Sequence, residues 1–255
     1  MAAMKTEAAR KSIAFFGASG GCGLSALKHS LEAGHTCVAL CRVPSKLTDQ
    51  FPAATYPNLT VLSGNAHDPA AVAPCLMDPS DPARLVGTVC FSLGSLFHMS
   101  KMSTEDPHVC EKGIMALFEA LATVRARIGP GAGPGAPRII AISTNGISQY
   151  GWDFPVLMTP LYRGMLHVPH ADKKIMEEKI VSSGEMYCLV RPSTLVNGEK
   201  PDKQIRVGVE DLHRGPESKE VGYTISREDV GRWIFEHLLQ DTVPEYWGKA
   251  VSITW

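Results

Sequence analysis

Short apolar runs alternate along the chain with longer stretches in which apolar residues recur every three or four positions. This alternation is what a parallel sheet covered by helices on both faces looks like in sequence. The runs predict seven strands, at Ser12 to Phe16, Thr36 to Cys41, Thr60 to Ser63, Thr88 to Ser92, Arg138 to Ser143, Met186 to Arg191 and Ala250 to Ile253. Between the first two, Leu24, Leu27 and Leu31 mark one face of a helix over Gly23 to Ala33, and Gly34 stands where such a helix is capped. A longer helix is expected from Pro107, suited to a first helical turn, to Arg127, with Met115, Leu117, Phe118 and Leu121 facing the sheet. Ser226, with Asp229 three residues on, opens a last helix whose Val230, Trp233, Ile234 and Leu238 form one stripe. The segment Gly129 to Pro137 reads GPGAGPGAP, a surface loop rather than a boundary, because neither side of it could close a core alone. The expected fold class is therefore α/β, a Rossmann-type doubly wound parallel sheet of about seven strands with helices on both faces, in a single domain. Residues 1–11 read as a loose lead-in.

Charge and composition narrow what such a domain can do. Lys and Arg number 25 against 26 Asp and Glu, a formal charge of −1, so no basic excess marks a nucleic-acid or anionic-membrane partner. Apolar runs such as Ile139 to Ile142 fall far short of the ~18–20 residues of a membrane helix. The first eleven residues carry Glu7 and no apolar stretch of signal-peptide length, and the cytoplasm is the expected location. The cysteines at 22, 37, 41, 75, 90, 110 and 188 form no CxxC pair and fall largely in apolar segments, which predicts buried, reduced thiols. The histidines are dispersed, with only His167 and His170 close together, and no metal site is expected.

The sharpest motif is Gly17, Ala18, Ser19, Gly20, Gly21, Cys22, Gly23, a GxxGxxG spacing between an apolar strand and a helix. Glycines at these points allow a tight turn, close approach of backbone to a pyrophosphate, and close packing of helix on strand, while the helix N-terminus offers N–H groups to the anion. This context predicts dinucleotide binding. At the end of the second strand an acidic residue would select an unmodified ribose and a basic one a 2′-phosphate. The chain there reads Cys41, Arg42, Val43, Pro44, Ser45, Lys46, without Asp or Glu, so Arg42 favours NADP over NAD; the alternative is a solvated surface arginine. Asn65 and Ala66 follow the third strand, on the adenine side, and Leu93 and Gly94 follow the fourth, where they would line the cofactor channel.

The glycine turn, the basic end of strand two, and the block Lys173, Lys174, Ile175, Met176, Glu177, then Ser183, Gly184, then Arg191, Pro192, together resemble the atypical short-chain dehydrogenase/reductases, in the group of NmrA-like proteins and biliverdin/flavin reductases. The resemblance extends over nearly the whole chain. In the wider superfamily a Ser or Thr ends strand five and a Tyr stands four residues before a Lys; the Tyr passes a proton, while the Lys binds the nicotinamide ribose and lowers the Tyr pKa. Lys173 matches that lysine, for catalysis and for cofactor binding, but Pro169 occupies the tyrosine position and cannot donate a proton. Ser143, Thr144 and Asn145 end strand five, and Ser143 is the preferred group for orienting an acceptor oxygen. For the missing acid the candidates are His167, His170, Tyr150 and Tyr162, with His170 first because it lies three residues before Lys173. Arg191 and Pro192 end strand six next to the cofactor, Arg191 having the alternative role of a structural ion-pair partner.

The long segment 146–168 contains Trp152, Phe154, Leu157, Met158, Leu161, Met165 and Leu166, and Leu96, Phe97, Met99 and Met102 follow strand four. These would wall a pocket for a hydrophobic, aromatic or polycyclic substrate, pack the loops onto the domain, or form a dimer contact. The expected activity is NADPH-dependent reduction of such a molecule by a monomer or homodimer. The alternatives are an NADP-binding sensor without turnover, and a redox-neutral isomerase or dehydratase on the same scaffold.

Overall fold

A computed structural model describes residues 10–94, 97–98, 103–104, 106–129, 137–160, 164, 166–241 and 243–255. Nine strands form the main sheet: β1 (Ser12–Phe16), β2 (Thr36–Cys41), β3 (Leu59–Ser63), β4 (Thr88–Phe91), β5 (Arg138–Ile142), β6 (Tyr187–Pro192), β7 (Arg206–Asp211), β8 (Gly215–Ser218) and β9 (Lys249–Thr254). Their order is β8-β7-β9-β6-β5-β4-β1-β2-β3. From β3 across to β9 every pairing is parallel, whereas β7 runs antiparallel to both β9 and β8. The strand order reverses at β1, which lies between β2 and β4. The carboxyl ends of β1 and β4 are thus the switch point where open α/β sheets bind ligands.

Alternation along each strand builds two cores. Ile13 and Phe15 of β1 go to one layer with Leu27 and Leu31 of α1 (Gly21–Glu32), while Ala14 and Phe16 go to the other. That second layer is filled by Ile114, Leu117 and Leu121 of α2 (Val109–Ile128) and by Met176 and Ile180 of α3 (His167–Ser182). Val230, Trp233 and Ile234 of α4 (Arg227–Ile234) join the first layer. Each such apolar side chain contributes roughly 1.5–3 kcal/mol by leaving water. Strands buried on both faces read as unbroken apolar runs, which is why six of the seven predicted strands stand out in the sequence, β3 alone among them being only partly buried. Ser226 caps α4 as its spacing suggested, its Oγ accepting from Asp229 N at 2.9 Å.

α1 and α4 run in the same direction. Arg227 lies beside Gly21, Ser25 Oγ donates to Glu228 O at 2.8 Å, and His29 stacks on Phe235. A Cβ at Gly231 would stand 2.3 Å from Ser25 Cβ, so only glycine permits this contact. Both N-termini therefore face the carboxyl end of the sheet.

Three features differ from the sequence reading. β7 and β8 were not predicted, because one is a half-buried edge segment and the other, Gly215–Ser218, is polar and contains Pro216, which only an edge strand tolerates. Met115 is half exposed rather than packed on the sheet. A short parallel ladder joins Thr194–Val196 to Thr224–Ser226 and draws the segment after β6 to the start of α4. Residues 130–136 of the Gly- and Pro-rich loop lie outside the described residues. Among the described residues no helix is long and apolar enough to cross a membrane, and all seven cysteines are buried and unpaired by disulfides.

Candidate functional site

β1 leads into Gly17 at φ +86°, where a Cβ would stand 2.6 Å from Ser92 O. A Cβ at Gly23 would come within 2.1 Å of Ser92 Oγ, which itself donates to Phe16 O at 2.9 Å. These two glycines let α1 and the end of β4 close onto the turn. Gly20 is different, since its missing Cβ faces open space. It caps α1 without a side chain to offer, so the first-turn N–H groups lack both intrahelical and capping acceptors, a ready cradle for an anion. Ser19, Gly20 and Gly21 are exposed, whereas the Cys22 side chain is buried and burial pushes its thiol up to about 12. Cys22 can serve a phosphate only through its backbone. The residues present fit a dinucleotide pyrophosphate.

Arg42 stands exposed at the end of β2 with no ion pair among the described residues, and Lys46 is exposed nearby. Asn65 is exposed after β3, its Oδ1 accepting from His67 N at 3.1 Å, and Ala66 packs partly on the second core. Leu93 lies half-buried two residues after β4 and Gly94 follows it exposed, with open space where a Cβ would be.

The chemistry-bearing groups converge where β4 and β5 end. Lys173 Nζ donates to Leu93 O at 2.7 Å and to Ile142 O at 2.5 Å, which fixes it at the carboxyl ends of both strands. Its helix is held from two sides. Asp172 accepts from Cys110 N at 2.8 Å and Glu111 N at 2.9 Å, capping α2 from another helix. Glu177 receives Arg191 Nε at 3.0 Å and Nη2 at 2.6 Å, while Arg191 Nη1 reaches Glu210 Oε1 at 2.7 Å. Ser148 Oγ donates to the other Glu210 oxygen at 2.5 Å, tying the segment after β5 into the same network.

This network corrects two expectations. Arg191 is 3% exposed, and although burial opposes its charge, Glu177 and Glu210 more than offset it and raise the guanidinium above its ordinary value. It takes the structural ion-pair role, and its side chain is not available to a cofactor. Pro192 is likewise buried, its carbonyl accepting from Asn145 N at 3.2 Å, so Thr194 is the first partly exposed residue after β6.

The hydroxyls at the strand end differ in exposure. Ser143 is buried, and among the described residues neither its Oγ nor the wholly buried Asn145 carboxamide has a hydrogen-bond partner. Thr144 is the more open residue, and its Oγ1 donates to Asn145 O at 3.0 Å and lies 3.5 Å from His170 Nε2. α3 begins at His167, early enough to carry His170 on the helix with Lys173. Burial pulls the His170 ring from 6.5 down to about 4, so at neutral pH it is uncharged and holds no spare proton. Tyr150, another candidate acid, donates instead to Leu212 O at 3.0 Å, and His167 Nδ1 pairs with Gly164 O at 2.8 Å. Tyr162, Leu161 and Met165, and the apolar side chains expected after β4, lie outside the described residues. Trp152, Val156 and Leu157 are exposed, with Trp152 5.2 Å from the buried Phe154 ring. A small cleft between residues 148–153 and the β7–β8 hairpin is lined in part by Tyr150, Trp152, Asp153 and Glu210, apart from the glycine turn and Lys173.

Sequence reasoning does not single out Asp172, and it names Thr144 only beside the preferred Ser143. The partners of Asp172 are about sixty positions away, and nothing in the spacing joins them; Thr144 lost to Ser143 because burial at a strand end is invisible in the residue types.

The fold and the glycine cradle define a dinucleotide-binding α/β domain. The family model described as NAD(P)H-binding matches residues 17–241, and the chain belongs to that family. It is 38% identical over 272 residues to the reductase pytE of Aspergillus terreus, covering 98% of this chain and 100% of that protein. It is 33% identical to the oxidase pynE of Aspergillus niger, covering 90% of this chain and 93% of that one. The fold is shared with a short-chain dehydrogenase/reductase of Veillonella parvula solved in complex with NADP, at TM-score 0.67 and 15% identity, covering 97% and 95% of the two chains. The class is therefore that of nicotinamide-dinucleotide oxidoreductases.

Proposed function

We propose that the protein is an NADPH-dependent reductase acting on a carbonyl, an activated double bond or a conjugated ring of a hydrophobic, aromatic or polycyclic small molecule. The observation that carries this reading is the cluster of Lys173 Nζ, the Thr144 hydroxyl and the His170 ring at the ends of β4 and β5, next to the strand that bears the glycine turn. The reductase name of a relative at 38% identity supports it. The cofactor, when bound, supplies the hydride.

In this reading the α1 N-terminus holds the pyrophosphate, Arg42 the 2′-phosphate, Asn65 and Ala66 the adenine side, and Lys173 the nicotinamide ribose. Lys173 keeps its position because two strand carbonyls hold Nζ from below. Thr144 orients the acceptor atom, and the neutral His170 ring hydrogen-bonds the charge that develops there. A ring pulled down to about 4 cannot also deliver the proton at neutral pH, so the proton comes from water. Trp152, Val156 and Leu157, on the segment after β5, supply apolar surface for the substrate.

A second reading, an NADP-binding sensor without turnover, is favoured by the same histidine: with Pro169 where the tyrosine would be and the His170 ring uncharged, neither of those two positions supplies an acid at neutral pH. The experiment follows NADPH absorbance across quinones, flavins, enones and aromatic ketones, with Lys173→Ala as the control. Turnover lost in Lys173→Ala supports the reductase; tight NADPH binding without turnover on any acceptor supports the sensor.

A further inference from the structure

We propose that Arg227 is a cofactor-binding residue, holding a guanidinium across the N-terminus of α1 to bind the pyrophosphate of the dinucleotide. The proposal rests on the nicotinamide-dinucleotide reading of the glycine turn. Arg227 is the first residue of α4, and its Cδ lies 3.6 Å from the Cβ position of Gly21, the first residue of α1. One edge of the guanidinium is fixed: Nη1 donates to Asn197 Oδ1 at 2.8 Å and to Leu195 O at 3.3 Å. Both acceptors are uncharged. Nε and Nη2 make no hydrogen bond among the described residues, so one edge of the fork stays open beside the exposed turn.

Electrostatics makes this arrangement unfavourable for the protein alone. Two helix N-termini, each the positive end of a peptide dipole, meet at Arg227, where an arginine is the wrong sign. The neighbouring carboxylates do not answer it. Glu228 Oε2 accepts from Gly198 N at 3.1 Å, and Asp229 is committed to Ser226 Oγ, Lys200 N and Arg232, while no carboxylate among the described residues lies within ion-pair distance of Arg227. A pyrophosphate on the α1 N-terminus supplies the missing charge, and a guanidinium with one edge anchored loses little freedom in binding it through parallel N–H bonds. The 2′-phosphate is not the ligand, because that group belongs at the end of β2, by Arg42.

The test measures dissociation constants for NADPH, NADH and adenosine 2′-monophosphate, which lacks the pyrophosphate, on the intact chain and on Arg227→Ala, Arg227→Gln, Arg227→Lys and Arg42→Ala. Arg227→Ala should weaken NADPH and NADH by the same factor, about 10- to 100-fold as for a charge-assisted hydrogen bond, and leave adenosine 2′-monophosphate unchanged. Arg227→Gln retains a donor for Asn197 without the charge and should lose a similar factor, which decides the matter if the alanine variant folds poorly. Arg227→Lys should recover part of the loss. Arg42→Ala should show the opposite pattern, weakening NADPH and adenosine 2′-monophosphate but not NADH. Unchanged NADPH affinity in the Arg227 variants, or an equal loss for adenosine 2′-monophosphate, overturns the proposal. If the unmodified protein binds neither NADPH nor NADH, the dinucleotide reading itself is overturned and the Arg227 proposal with it.

Discussion

Acid should remove stability from this protein through His170. Burial pulls the ring from 6.5 to about 4, so the folded chain takes up this proton less readily than the unfolded chain. Stability from the neutral ring is therefore complete above the unfolded value near 6.5 and is lost as pH falls toward the folded value near 4. At about 1.4 kcal/mol per pH unit, the interval corresponds to at most about 3–4 kcal/mol, a large share of a typical domain's stability. His35, wholly buried, is also lowered by burial and acts in the same direction. The His170→Gln variant isolates the larger effect.

Urea unfolding of both proteins between pH 7.5 and 4.5 provides the assay, with the imidazole proton resonances followed over the same range. The unmodified chain should lose about 2–3 kcal/mol more than His170→Gln across that interval. Equal losses in the two proteins, or a His170 resonance titrating near 6.5, would refute the burial argument. The second result would carry a functional consequence, because a ring that titrates near neutrality could serve as the general acid that Pro169 cannot be.

The other expectations test separate parts of the site. Arg42→Ala should weaken NADPH by about 10- to 100-fold and change NADH by less than about 3-fold in equilibrium binding, the range of a lost charge-assisted contact; equal effects on both would remove Arg42 from the 2′-phosphate. Glu177→Ala leaves the Arg191 guanidinium buried with half its partners gone and should cost about 3–5 kcal/mol in urea unfolding, whereas a loss under about 1 kcal/mol would mean that the network is solvated. Gly17→Ala drives a Cβ to 2.6 Å from Ser92 O at φ +86°. It should lower the melting temperature and abolish NADPH binding together; intact binding would show that the turn adjusts more freely than its contacts allow.

Sequence made the frame legible where burial is uniform. Seven strands of the sheet, α1 and the cap of α4 followed from apolar runs and from one Ser to Asp spacing, because those signals are local. The β7–β8 hairpin was illegible because Gly215–Ser218 is exposed and polar and β7 is buried only on alternate residues. The glycine turn was visible as a motif, but the division of labour within it was not: Gly17 and Gly23 answer to Ser92, some seventy positions away, while Gly20 faces open space. The choice between the two roles of Arg191 is hidden for the same reason. Its partners sit on α3 and β7, and a strand-end arginine gives no local sign of pairing inward rather than outward.

α3 shows why part of the site escaped periodicity and where it left a trace. At about 100° per residue, Asp172, Met176, Ile180, Lys173, Glu177 and His170 fall within an arc of about 160°. Met176 and Ile180 fill the second core, while Asp172, Lys173 and Glu177 bind α2, the ends of β4 and β5, and Arg191 of β6. The inward arc is thus mostly polar, and the helix looks scarcely amphipathic. Each of these polar groups is satisfied by a different element, so the helix cannot slide or rotate without breaking a buried charge contact, a stiffer constraint than apolar packing gives. The K-x-x-x-E block and the later R-P pair, read from sequence as marks of a family, are in physical terms a mounting: Glu177 and Arg191 lock the helix one turn from Lys173, so that Nζ stays on the carbonyls of Leu93 and Ile142. A helix whose apolar pattern is weak because its buried face is charged is itself a signal for a functional site, and here it points to Lys173 independently of any resemblance.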